Sequence, residues 1–199
     1  MTKKERENIK KLREAVYLRF KIGHELSDQE FIAIWEMIKK MLTIQVDSRE
    51  KARAIKRILG YFHDNKVNYY ISKLWVGDYM SLDNPRLVID RKQNLAEVVS
   101  NVTQGHDRFR RELIRAKEAE IKLIILVEHS SLIKSIDDVE GWSNPRLVTS
   151  PAAMTGKTLA KVMRTLEERY GCEFRFCTKT KTGEKILQLL GGSDDTGTP

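Results

Sequence analysis

Five apolar residues in unbroken succession, Leu123 to Val127, constrain this chain more than any other feature. Lys122 and Glu128 bound the run. It is far shorter than the ~20 residues a membrane-spanning helix requires. A strand with one face in water would alternate apolar and polar residues, and this one does not, so it reads as a strand buried on both faces. Such a strand needs helices packed on each side of its sheet. Helical spacing over 93–102 and 106–120 precedes it, and a helix over 156–170, stopped by Gly171, follows.

Further strands are expected at Thr43–Asp47, within Val67–Val76, at Arg86–Asp90 and at Glu173–Thr178, with helices over 50–64 and 181–190. Strands alternating with helices predict an α/β fold, a sheet flanked by helices on both faces. Two helices are expected upstream. Ile9, Leu12, Val16 and Phe20 recur at helical spacing; Ser27 with Glu30 three residues on is a capping box that opens a second apolar stripe of Phe31, Ile34, Trp35, Ile38 and Leu42. The organisation is therefore an N-terminal helical extension over 1–41, one domain over 42–190, and a Gly/Asp/Thr-rich tail over 191–199 expected to be disordered. Asn84-Pro85-Arg86-Leu87-Val88 recurs as Asn144-Pro145-Arg146-Leu147-Val148 and reads as two similar turns leading into strands.

The chain carries 36 Lys+Arg against 28 Asp+Glu, a net charge of +8 that favours a polyanionic partner, nucleic acid being the commonest. With 41% hydrophobic residues it is not a wholly disordered chain. The charged N-terminus lacks the apolar block of a secretory signal. Cys172 and Cys177 lie an odd distance apart in a strand, hence on opposite faces, and do not pair. An intracellular location and no membrane partner follow as expectations: cytoplasm or nucleoid in a bacterium or phage, nucleus in a eukaryote.

Three acidic sites stand at strand edges: Asp47 with Glu50, Asp78 after Gly77, and Asp90. Residues i and i+2 of a strand share a face, so Asp90 and Lys92 point one way and Arg91 the other. Two carboxylates, Asp78 and Asp90, suit a hard divalent cation such as Mg²⁺. A lysine beside them can orient a water on that metal, which lowers the water's pKa and stabilises charge on a phosphate. Asp47, just before a helix, can equally serve as a helix cap.

Gly77-Asp78 followed by Asp90-Arg91-Lys92 resembles the PD-(D/E)XK nuclease motif. In order, Val46-Asp47-Ser48-Arg49-Glu50, Val76-Gly77-Asp78-Tyr79 and Val88-Ile89-Asp90-Arg91-Lys92 resemble the V-D-x-R-E, G-D-Y and E-R-K-x-x-x-D pattern of the XPF family of structure-specific endonucleases. The basic segment Asp107 to Glu112 and the strand Leu123 to Glu128 are similar as well, and the resemblance covers roughly 43–190. Aspartate replaces the family's glutamate at position 90, and the last family aspartate falls at Ala96, with Glu97 beside it.

The resemblance implies a restriction-endonuclease-like mixed sheet and a Mg²⁺- or Mn²⁺-dependent endonuclease acting on branched or flap DNA. It implies Asp78, Asp90 and Asp47 as metal ligands, with Glu50 and Lys92 completing the catalytic group. Arg91, Arg108, Arg110, Arg111 and Arg115 are expected to contact DNA. A homodimer or heterodimer through the nuclease domain is expected, and the alternative is a catalytically silent DNA-binding subunit supporting a partner nuclease. Gly156-Lys157-Thr158 is similar to the end of a phosphate-cradling loop, but the glycine such a loop needs falls at Pro151. Trp35, Trp75 and Trp142 read as core or interface residues rather than base-stacking platforms.

Overall fold

The computed structural model describes residues 27–191. The first N-terminal helix and the tail beyond Gly191, both expected from sequence, lie outside the described residues. The second helix, α1 (Asp28–Met41), is present and opens on its capping box. Ser27 donates its backbone N–H to Glu30 Oε2 at 2.9 Å, and Glu30 returns its own N–H to Ser27 Oγ at 3.3 Å.

The rest is a six-stranded sheet between two layers of helices. In chain order its elements are β1 (Thr43–Asp47), α2 (Ala52–Asp64), β2 (Asn68–Ser72), β3 (Tyr79–Ser81), β4 (Asn84–Lys92), α3 (Leu95–Val102), α4 (His106–Glu118) and β5 (Lys122–Glu128). A short α5 (Ile136–Val139), α6 (Gly156–Tyr170), β6 (Glu173–Cys177) and α7 (Thr182–Leu190) complete it. The strand order is β2-β1-β3-β4-β5-β6. β3 runs against β1 and β4, and the other neighbours are parallel, which makes the sheet mixed.

The strand Leu123–Val127 is buried on both faces, as its unbroken apolar run requires. Leu123, Ile125 and Val127 enter one core with Val98, Phe109, Leu113, Leu159 and Met163, under α3, α4 and α6. Ile124 and Leu126 enter the other with Ile44, Val46, Ile55, Phe62, Ile186 and Leu190, under α2 and α7. Cys172 belongs to the first core and Cys177 packs against the second, so they face opposite layers and are both free. Burial pushes the Cys172 thiol up to about 12 and the Cys177 thiol up to about 11, which keeps both unreactive near neutral pH.

The repeated pentapeptide takes two different structures. Asn84–Val88 is the first half of β4, paired with β3 and β5 through Met80↔Val88 and Leu87↔Lys122. Asn144–Val148 is a 3₁₀ turn instead of a second approach to a strand. Its Asn144 caps it, accepting from the Arg146 N–H at 3.1 Å and donating to the Met154 carbonyl at 2.8 Å. The local cap favours the turn there. Gly156 is explained by packing: a Cβ there would lie 2.4 Å from the Val139 carbonyl oxygen and 2.5 Å from that of Trp142.

Candidate active site

The sheet register brings the acidic residues to one rim. Val46, Tyr79, Ile89 and Ile124 form a row across β1, β3, β4 and β5, and all four point into the α2/α7 core. The next row lies one residue on. Its ladder continues past β3: Asp47 donates its N–H to the Asp78 carbonyl and Asp78 donates its own to the Ile89 carbonyl, each at 2.8 Å. Because side chains alternate along a strand, this row belongs to the opposite face, where Asp90 pairs with Ile125.

Gly77 makes the placement of Asp78 possible. Its φ is +66°, a left-handed conformation that side chains with a Cβ rarely adopt. An added Cβ would also sit 2.5 Å from Val88 Cγ1 and 2.9 Å from the Ile89 carbonyl oxygen. The Gly77 N–H is held by Glu112 Oε1 of α4 at 3.0 Å.

On the α3/α4 face, Lys92 Nζ donates to Asp90 Oδ1 at 2.8 Å and lies 2.7 Å from Oδ2. Only the first contact is aligned as a hydrogen bond, and Asp90 Oδ2 is buried with no such partner. Lys92 also sits 5.3 Å from the centroid of the Phe109 ring. Burial opposes the charge on Lys92, yet Asp90, Asp78 and Glu112 outweigh it and hold the amine above its ordinary value, as ammonium. Asp78 moves the other way from an ordinary carboxyl. Burial, then the negative charges of Asp90 and Glu50, push it well above the carboxylate range, despite Lys92 and the Arg91 N–H that reaches Oδ2 at 2.8 Å.

On the other face Arg91 is a buried hub. Its Nη2 and Nε donate to Glu50 Oε2 at 2.8 and 3.1 Å, and its Nη1 donates to Glu128 Oε1 at 3.0 Å. Thr182 of α7 donates to the same Glu128 oxygen at 2.9 Å, and the Tyr79 hydroxyl donates to Glu50 at 3.3 Å. With 1% of its side chain exposed, Arg91 cannot reach a DNA backbone, which corrects its expected role as a DNA contact. Its charge is consumed by two carboxylates from β5 and the β1–α2 turn.

Asp47 is likewise committed. Its Oδ1 accepts from the Arg49 backbone N–H at 2.7 Å and from Arg49 Nε at 2.8 Å; its Oδ2 accepts from Arg49 Nη2 at 2.8 Å and from the Leu74 N–H at 2.7 Å. Burial would raise its pKa, but the Arg49 and Leu74 bonds win and the carboxyl stays below its ordinary value. It is not the cap of α2 either, since Lys51 stands at that cap with no side-chain bond. Glu97 is also accounted for: it accepts the Gln93 N–H at 2.8 Å in the first turn of α3, while Asn94 Oδ1 accepts the Glu97 N–H. It serves that turn rather than the rim.

Among the described residues no group of three or more His, Cys, Asp or Glu side chains is arranged to hold a metal. The pair Asp78 and Asp90 nevertheless suits a hard divalent cation. It offers oxygen donors only, and the charge of Asp90 pushes the Asp78 carboxyl up despite Lys92, a repulsion that a bound cation would relieve. Glu112 and Glu128 are the residues that sequence reasoning passed over. Each lay inside a segment already assigned, one to a basic helix and one to the end of a buried strand.

Arg108, Arg110 and Arg111 are exposed on α4. Arg108 lies one turn before Glu112, on the side of the helix that reaches Gly77. Arg110 lines a cleft of about 360 Å³ between α4 and α6, with Leu113, Lys161 and Leu166. Arg115 is half-buried, and its Nε has no hydrogen-bond partner.

Comparison with known proteins agrees with this architecture. The family model of the ERCC4 domain matches residues 46–190. The solved structure of XPF from Aeropyrum pernix is similar at 18% identity with a TM-score of 0.53, covering 79% of this chain and 64% of that one. XPF from Aeropyrum pernix in complex with DNA is similar at 20% identity with a TM-score of 0.54, covering 75% of this chain and 63% of that one. The chain thus spans less than two thirds of either. No curated protein sequence matches it.

Proposed function

The chain belongs to the ERCC4-domain family, a family of nucleases, and from that premise we propose that it is a metal-dependent endonuclease cutting branched or flap DNA. The observation that carries this reading is the Asp78–Asp90–Lys92 group: two carboxylates at one sheet rim, and an ammonium 2.8 Å from one oxygen of Asp90 and 2.7 Å from the other.

In this reading Asp78 and Asp90 hold a Mg²⁺ or Mn²⁺ ion. When bound, the ion activates a water and neutralises charge on the phosphate. Lys92, kept as ammonium, orients that water and balances the developing negative charge rather than taking its proton. Asp47 braces the rim through Arg49 and Leu74, and Arg91 braces it from beneath through Glu50 and Glu128. Exposed Arg108 and Arg111 grip the phosphate backbone without reading bases.

Cleavage of single-stranded, duplex, flap and junction DNA by the full chain, with and without Mg²⁺ or Mn²⁺, tests the proposal. Metal-dependent cutting of branched substrates that Asp90→Asn abolishes is the expected result. Equal cutting by that variant, or none by the wild type on any substrate, sinks it.

A further inference from the structure

Trp75, expected in a core or an interface, lies outside the core. Its residue is 61% exposed, between Leu74 and Val76, which are both buried. Trp142, by contrast, packs against the α3/α4/α6 core. A tryptophan normally buries most of its large ring. Among the described residues the Trp75 ring makes no aromatic or cation–π contact.

A loose loop does not account for this exposure, because the backbone around Trp75 is fastened on both sides. Leu74 gives its N–H to Asp47 at 2.7 Å, and Arg49 Nη2 donates to the Leu74 carbonyl at 3.0 Å. That carbonyl belongs to the peptide that carries Trp75. Two residues further on, the Gly77 N–H is fixed to Glu112. These bonds hold a flat apolar ring in water, on a peptide whose carbonyl is bound by the guanidinium of Arg49.

Only Val76 and Gly77 lie between Trp75 and Asp78, so three backbone steps keep their Cα atoms within about 11 Å of one another. A stacked strand rises about 3.4 Å per nucleotide. The indole is thus within reach of a base about three nucleotides or fewer from a phosphate held at Asp78. In a continuous duplex that base is stacked between its neighbours and its face is unavailable; at a flap or fork it is free. We infer that Trp75 is a stacking platform for an unpaired nucleobase flanking the scissile phosphate, and that it biases the site toward branched DNA. This rests on the nuclease reading above and deepens it: the ring reads strand state, not sequence.

The test uses the full chain and a forked DNA carrying 2-aminopurine at each of the three nucleotides flanking the cleavage position, with Ca²⁺ to support binding. Stacking on the indole quenches the probe. Quenching at one position in the wild type, lost in Trp75→Ala and kept in part by Trp75→Tyr, is expected. The fork-over-duplex affinity ratio should fall about 5- to 150-fold in Trp75→Ala. Wild-type quenching and an unchanged ratio in that variant overturn the proposal and mark the ring as a protein-contact surface. If Trp75→Ala does not fold, the tyrosine variant and the wild-type probe positions decide: a wild type that quenches at none of them refutes stacking. A wild type that quenches and discriminates forks yet cuts nothing with Mg²⁺ or Mn²⁺ upholds stacking while refuting the nuclease reading.

Discussion

The backbone N–H of Arg91 donates to Asp78 Oδ2 at 2.8 Å while the side chain of the same residue leaves through the opposite face of the sheet to hold Glu50 and Glu128. One residue of β4 thus links the carboxylate at the rim to the buried charges beneath it. Removing the guanidinium leaves Glu128, 3% exposed, without a counter-charge. Arg91→Ala should cost roughly 3–5 kcal/mol of stability, the usual penalty for stranding one member of a buried ion pair. Denaturant unfolding measures it. A phosphate-binding arginine would instead leave stability near wild type and weaken DNA binding alone.

Asp78 gives a pH-dependent signature. Its folded pKa is raised by burial and by the charges of Asp90 and Glu50, so the folded state binds its proton more tightly than the unfolded state does. Its ionisation therefore destabilises the fold. The effect is absent below the ordinary carboxyl value, grows as pH rises toward the raised value, and is complete above it. Asp78→Asn keeps an acceptor for the Arg91 N–H and removes the charge. In chelator at pH 8 that variant should melt above the wild type, with the gap closing as pH falls. Mn²⁺ should raise the wild-type Tm at pH 8 and leave the variant's nearly unchanged.

Gly77→Ala tests how the rim is positioned. The alanine would carry both a left-handed φ and a Cβ placed 2.5 Å from Val88 Cγ1 and 2.9 Å from the Ile89 carbonyl oxygen. A loss of about 1–3 kcal/mol is expected from the backbone strain. Cleavage should fall further than stability does, because Gly77 and Asp78 must shift together. Comparing single-turnover rates with melting temperatures separates the two effects; a variant that melts and cuts like the wild type would show that the rim tolerates movement.

Much of this was legible in the sequence, and the gaps have identifiable causes. The unbroken run Leu123–Val127 announced a strand buried on both faces, and Gly171 marked the end of α6. The two-residue period of a strand was enough to put Asp90 and Lys92 together and send Arg91 elsewhere. What failed was whatever depended on partners far along the chain. β3 is three residues long and owes its existence to the strands on both sides of it. The pentapeptide Asn-Pro-Arg-Leu-Val becomes strand or 3₁₀ turn according to its neighbours. Asp47 looked available because Arg49 and Leu74 cannot be seen to converge on it without the fold, and residue type alone left Trp75 open between a core and an interface.

The last prediction concerns Arg108 and Arg111, which are exposed and, in the proposed function, neutralise DNA phosphates. Each phosphate contact releases condensed counterions, so log K falls with log salt by about 0.9 per contact on duplex DNA. Replacing both by glutamine should lower that slope by about 1.8 and weaken binding to all sequences alike. Stability should stay within about 0.5 kcal/mol, since neither side chain is buried. Arg110→Gln is the internal contrast: its side chain lines the cleft toward α6, so it should leave the slope nearly unchanged. Salt titration of fork and duplex binding for the two variants distinguishes a phosphate-gripping face from a merely solvated one. If the double variant keeps the wild-type slope, the basic character of α4 serves solubility, and the DNA path must run over another part of the rim.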